Sequence, residues 1–133
     1  MKTVLLDSSV WMSFLVKDVH TPKAEKIFNQ LKIEGTNTLL PTIVYAEVIN
    51  NISRVDNSYA AIEEAKKIML DDNKTRQIHG KKSFWHRSIH KYPKLIRLNT
   101  MDMLILAFAI EYKVDMLYSF DAKLQAAFYS FKK

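Results

Sequence analysis

Apolar residues in this chain follow two rhythms that alternate along its length. Val4-Leu5-Leu6 is a short unbroken apolar run, the mark of a buried strand. Ser8 or Ser9 is placed to cap a helix running through Trp11 and Phe14 to about Lys17. Thr21-Pro22 is a helix start, with Thr as N-cap and Pro at the first helical position. In the helix that follows, Ala24, Ile27, Phe28 and Leu31 recur at helical spacing on one face, and Gly35 ends it. Thr38-Leu39-Leu40 is a second short strand, and Pro41-Thr42 opens a helix to about Arg54. Asn57-Ser58 begins another, with Ile62, Ala65 and Met69 facing inward and an end near Asp71-Asp72-Asn73. A strand is expected from Thr75 to His79, and a helix from Ser83 to Tyr92 that Pro93 stops or kinks. Asn99-Thr100 caps a strongly apolar helix through Tyr112, followed by a buried strand over Val114 to Phe120 and a final helix over Ala122 to Phe128. Short apolar strands alternating with helices predict an α/β fold on a mainly parallel sheet. With 133 residues and no repeat or linker, residues 1–133 form one domain.

Composition narrows the setting. At 48% hydrophobic residues the chain can bury a core, and without cysteine it has no disulfide framework and no thiolate metal site. That fits a reducing cytoplasm. Asp7 interrupts the N-terminal apolar run too early for a signal peptide. The longest apolar run, Met103 to Ile110, falls well short of the ~20 residues of a membrane span, so a soluble protein with no membrane partner is expected. The net charge of +6 is concentrated between Lys74 and Arg97, where eight bases stand with no acid, leaving twelve bases against fourteen acids elsewhere. A localised positive field suits RNA or DNA, with Lys81, Lys82, Arg87 and Lys91 as candidate contacts.

Four acids carry the candidate chemistry. Asp7 closes the run Val4-Leu5-Leu6, and Asp121 closes Met116 to Phe120. Asp102 stands directly before the apolar stretch from Met103, and Glu47 is embedded in Ile43 to Ile49. An acid in apolar sequence is costly without a positive partner, and several converging acids demand a cation. In parallel α/β sheets, ligands bind outside the carboxyl ends of the strands, where Asp7 and Asp121 are expected. Asp102 falls in a first helical turn, where the dipole favours negative charge. Glu47 lies about one and a half turns into its helix and leans toward the helix N-terminus, back toward the same rim. An all-oxygen site of this kind selects Mg²⁺ or Mn²⁺, one ion or two, and supports phosphodiester hydrolysis without a histidine base.

At four places the chain resembles the PIN domain, a family of metal-dependent ribonucleases that includes the VapC-type toxins. Val4-Leu5-Leu6-Asp7-Ser8-Ser9 is similar to the family's first strand and its acid. Glu47 to Arg54 is similar to its Glu helix, Asp102 to Ala109 to its Asp-Ala-Leu-Ile-Leu-Ala-x-Ala segment, and Ser119 to Leu124 to its last acidic motif. The likeness runs from about residue 3 to 128. It implies a three-layer α/β/α sandwich with strand order 3-2-1-4-5, and metal ligation by Asp7, Glu47, Asp102 and Asp121. It further implies hydrogen-bonding support from Ser9 and Ser119, an RNA substrate, a homodimer and a cognate antitoxin protein of a type II toxin–antitoxin pair. One departure is Lys113-Val114, where many members carry a Gly before the last core strand. The basic stretch matches no motif of the family.

Blander explanations exist for each feature. Asp7 and Asp121 can serve as helix caps, and Asp102 as a dipole-favoured first-turn acid. The basic stretch can be a solvated face. Phe84, Trp85 and Tyr92 can stack on unpaired bases, but core or dimer packing is the commoner use, and the favoured one for Trp85. His86 and His90 share a helical spacing, yet Arg87 occupies the place of the glutamate in a zinc-protease motif, so zinc is not expected. With Gly35 and Gly80 as the only glycines, neither a phosphate loop nor a nucleophile elbow is present. The competing function is a catalytically silent RNA-binding or scaffold protein on the same fold. A receiver-like signalling domain lacks a phosphoacceptor Asp and a Lys in register.

Overall fold

The computed structural model describes residues 2–70, 73–88, 91 and 97–132. Its elements run β1 (Thr3–Leu6), α1 (Ser8–Leu15), α2 (Thr21–Glu34), β2 (Asn37–Pro41), α3 (Thr42–Val55), α4 (Tyr59–Leu70), β3 (Thr75–Ile78), α5 (Lys82–His86), α6 (Thr100–Glu111), β4 (Met116–Tyr118) and α7 (Ala122–Lys132). The strands lie in the order β3-β2-β1-β4, and every pairing is parallel. This reproduces the expected order over its first four positions. Among the described residues no fifth strand follows, because the chain turns from β4 directly into α7.

The central strand is β1, flanked by β2 and β4, and its Val4, Leu5 and Leu6 are buried. Helix α1 packs against α2 and α3, and α3 against α4, while α6 packs against α7. Residues Ile105 to Ala109 of α6 are all buried, which accounts for the apolar character of that helix on every face. Connectivity creates the site. After β1 the chain moves outward through β2 and β3, then returns to the other side of β1 for β4. The carboxyl ends of β1 and β4 therefore form a topological switch point, where α/β sheets open a crevice.

Local chemistry moves several expected boundaries. Asp7, rather than Ser8 or Ser9, is the N-cap of α1, because its carboxylate accepts from the backbone N–H groups of Ser9 and Val10. In α2 the capping position is His20 and Thr21 is the first helical residue. The Thr21 hydroxyl is already engaged: it donates to the Ser13 carbonyl (2.7 Å) and accepts from the Asp18 N–H (2.8 Å), fastening α2 to the end of α1. Helix α5 stops at His86 with Arg87 as its C-cap, shorter than the expected span to Tyr92. Residues 89–90 and 92–96, with His90, Tyr92, Pro93 and Lys94, lie outside the described residues, as do Asp71 and Asp72 at the expected end of α4. Lys113 takes the left-handed conformation (φ 53°) at the end of α6, the backbone state that glycine adopts without strain.

Candidate metal centre

Asp7 leaves the carboxyl end of β1 with 4% of its surface exposed. Its Oδ1 accepts from the Ser9 N–H (3.0 Å), the Ser9 hydroxyl and the Val10 N–H (3.3 Å). Its Oδ2 accepts from the Ser119 hydroxyl, which itself accepts from the Asp121 N–H (2.9 Å). The Ser9 hydroxyl in turn accepts from the Phe120 N–H (3.1 Å). Two serine bridges thus tie the end of β1 to the turn after β4, on both sides of the switch point. Burial pushes the Asp7 carboxyl above its ordinary value, opposed by the hydrogen bonds from Ser119, Ser9 and the backbone.

Asp102 stands in the first turn of α6, where the Asn99 side chain caps the helix by accepting from the Asp102 N–H (2.8 Å). Its carboxyl is also raised, by burial first and then by the negative charges of Asp121, Asp7 and Glu47. Acids from four distant segments therefore share one electrostatic neighbourhood. Asp121 is exposed and caps α7, its Oδ1 accepting from the N–H groups of Lys123 (2.8 Å) and Leu124 (3.2 Å). Capping and membership of the acidic group coexist at both Asp7 and Asp121. Glu47 projects from α3, and its Oε2 is buried with no hydrogen-bond partner. A buried, unpaired carboxylate oxygen is costly, and a cation removes that cost.

The donor set is all oxygen and fits a hard divalent ion such as Mg²⁺ or Mn²⁺. Among the described residues, no three Asp, Glu or His groups are drawn in to a spacing that holds an ion. Mutual repulsion between like charges favours such spreading. A cavity of ≈ 500 Å³ opens beside the acids and brings Arg97 and Lys123 next to Asp102 and Asp121. This basic pair was not expected here: Arg97 belonged to the long basic stretch and Lys123 to an unremarked helix start. One residue before Asp121, Phe120 stacks on the His20 ring (centroids 5.1 Å apart), a contact that no sequence spacing announces.

The basic stretch leaves β3 at the same carboxyl rim. Lys81, Lys82, Arg87 and Lys91 are exposed. Phe84 is core, stacked on Phe108 at 4.1 Å, whereas Trp85 is 36% exposed and meets both rings edge-on.

A family model for the PIN domain matches residues 4–128. The chain belongs to the PIN domain family. All four acids of this PIN domain, and both bridging serines, fall inside the matched span. Two solved structures share its fold. Mycobacterium tuberculosis VapC20, described as a toxin that cleaves the sarcin–ricin loop, superposes with a TM-score of 0.74 at 17% identity, covering 93% of this chain and 94% of that one. VapBC2 from Rickettsia felis, solved bound to a DNA fragment from its promoter, superposes with a TM-score of 0.71 at 15% identity, covering 93% of this chain and 92% of that one. No curated protein sequence matches the chain.

Proposed function

We propose that this PIN domain is a metal-dependent endoribonuclease hydrolysing RNA phosphodiester bonds, and that it is the toxin of a type II toxin–antitoxin pair. The observation that carries the reading is that Asp102 lines one cavity with Asp121 and that its carboxyl, raised first by burial, is raised further by the charges of Asp121, Asp7 and Glu47. Asp7, Glu47, Asp102 and Asp121 would hold Mg²⁺ or Mn²⁺, with the unpaired Oε2 of Glu47 as one ready donor. When bound, such an ion acts as a Lewis acid that makes hydroxide accessible near neutral pH. Ser9 and Ser119 fix the Asp7 carboxylate and so set the direction of its lone pairs. Arg97 and Lys123 line the adjoining cavity and draw in the RNA phosphate, and Lys81, Lys82, Arg87 and Lys91 extend the positive surface along the strand.

The toxin assignment is supported by the fold shared with VapC20 and VapBC2. On this reading a cognate antitoxin protein covers the acidic rim, the chain acts in the cytoplasm, and it is a homodimer. No helix of the described residues is long and apolar enough to cross a membrane.

RNA cleavage is assayed with Mg²⁺, with Mn²⁺ and with chelator, for wild type and Asp7→Asn. Cleavage is expected only with an ion and is lost in the variant, whose circular dichroism matches wild type. Undiminished cleavage by an Asp7→Asn, Asp102→Asn double variant rules the reading out. A second reading, a silent RNA-binding protein, is favoured by the open spacing of the acids. In that case RNA binding survives loss of the acids, fails when Lys81, Lys82 and Arg87 become Glu, and no ion elicits cleavage.

A further inference from the structure

The rim of the sheet carries a second feature, beyond β2, that the acidic group does not use. Parallel register aligns Pro41 with Ile78, and Leu5 with Leu39, so the end of β3 lies level with Asp7 and two strands away. At ~4.8 Å per strand that separation is roughly 10 Å. His79 is the next residue after β3. It is exposed, yet it is held: its Nδ1 lies 2.6 Å from the Thr42 hydroxyl. Thr42 is fixed in its turn by the Ile78 carbonyl (3.2 Å) and the Gln77 amide (3.2 Å).

The backbone of His79 is held as well. Its carbonyl accepts from the Trp85 indole N–H at 3.1 Å. Gly80, between them in the chain, has φ +82°, and a Cβ there would lie 2.9 Å from Trp85 Nε1 and 3.0 Å from a ring carbon of Phe84. Only glycine lets the chain turn this closely under the indole. Trp85 is then braced edge-on by Phe84 and Phe108 while keeping 36% of its surface in solvent. Two aromatic rings are thus anchored, exposed and flanked by Lys81, Lys82 and Arg87.

We propose that His79 and Trp85 form a nucleobase-stacking subsite that receives an unpaired base of the RNA passing the acidic rim. Rings that are already ordered lose little conformational entropy on binding. Base–aromatic stacking is tolerant of sequence, and the surrounding cations neutralise the phosphates on either side. Single-stranded loops, whose bases splay out, are the matching substrate class. The inference rests on the ribonuclease reading for its ligand, and its test does not use cleavage.

The test exploits the protein's two tryptophans. Trp11 is 2% exposed and serves as a silent background, so binding at the rim is read from Trp85. Intact protein with chelator is titrated with a 2′-O-methyl oligouridine and with an abasic oligonucleotide of equal length. Oligouridine is expected to quench emission saturably, and Trp85→Phe to abolish that quench. His79→Ala should weaken oligouridine binding about 5- to 100-fold, and Trp85→Phe, which keeps a smaller stacking ring, should weaken it less, both leaving abasic binding unchanged. His79→Ala leaves the ring packing of Phe84, Trp85 and Phe108 untouched, so it reports even where Trp85→Phe disturbs folding. Equal affinity for both oligonucleotides overturns the proposal, as does Trp85 emission that responds to protein concentration and not to RNA, which marks a dimer contact. Loss of base preference alongside ion-dependent cleavage defeats the subsite alone. Base stacking with persistent cleavage by Asp7→Asn defeats the catalytic reading alone.

Discussion

Replacing Ser119 with Ala removes the hydroxyl that joins the two sides of the switch point. In the wild type this hydroxyl donates to Asp7 Oδ2 and accepts from the Asp121 N–H at 2.9 Å. The Asp121 N–H sits at an exposed position where water can replace the lost partner. Asp7, at 4% exposure, has little access to water. Leaving a buried acceptor unpaired costs about 1–3 kcal/mol, which sets the expected loss of stability. Ser119 is also the strongest of the interactions that hold the Asp7 carboxyl down against burial, so its removal raises that carboxyl further. The cost should therefore be larger at neutral pH than in mild acid, where Asp7 holds its proton more of the time. Urea unfolding in chelator at the two pH values measures both effects, with an unchanged m-value showing that only stability has moved. Ser119→Thr keeps the hydroxyl and should recover most of the loss. In a double-mutant cycle with Asp7→Asn, Ser119→Ala should cost much less than it does alone. A Ser119→Ala protein within ~0.3 kcal/mol of wild type at both pH values, or full additivity in the cycle, refutes the bridge.

Other consequences follow from the same structure. The Asp7 and Asp102 carboxyls are both raised in the fold, so the ion-free folded state retains protons that the unfolded chain has released. Their effect is thus to lower stability as pH rises from the ordinary carboxylate value through the raised one. Thermal melts in chelator should show this slope flattened in Asp102→Asn, and an identical slope in both proteins would contradict it. Lys113→Gly relieves a left-handed residue (φ 53°) at a cost of ~1–2 kcal/mol, less ~0.5–1 kcal/mol for glycine's extra freedom in the unfolded chain. A net gain of about 0.5–1 kcal/mol in urea unfolding is expected, and a loss would refute the strain. Phe108→Ala empties a fully buried position stacked on Phe84 and should destabilise by about 3–5 kcal/mol in the same assay.

Local pattern carried the elements well. The run Val4-Leu5-Leu6 and the buried block Ile105 to Ala109 are legible because burial on both sides leaves no polar position to confuse the period. The N-cap of α1 was harder to read, since Asp7, Ser8 and Ser9 are all good caps and Asp7 does double duty. The acids were visible as charges stranded in apolar sequence. Their gathering at one rim was expected from strand ends and helix starts, and the return of β4 to the far side of β1 is what brings it about. Arg97 and Lys123 are near neighbours of Asp102 and Asp121 in the chain, and what the sequence did not show is that all four line one cavity. Trp85 shows the limit most clearly. Its exposure and its bond to the His79 carbonyl follow from the turn at Gly80, which no residue spacing encodes. Lys113, at the position of the family departure, takes a left-handed backbone state that suits glycine better.

On the proposed reading, four side chains from distant segments form one cation site. Calorimetric titration of Mn²⁺ into wild type, Asp7→Asn, Glu47→Gln, Asp102→Asn and Asp121→Asn tests it without reference to RNA. Saturable binding in wild type, weakened at least about tenfold in every variant, is the predicted result. Absence of binding in wild type, or unchanged affinity in any one of the variants, contradicts a shared site.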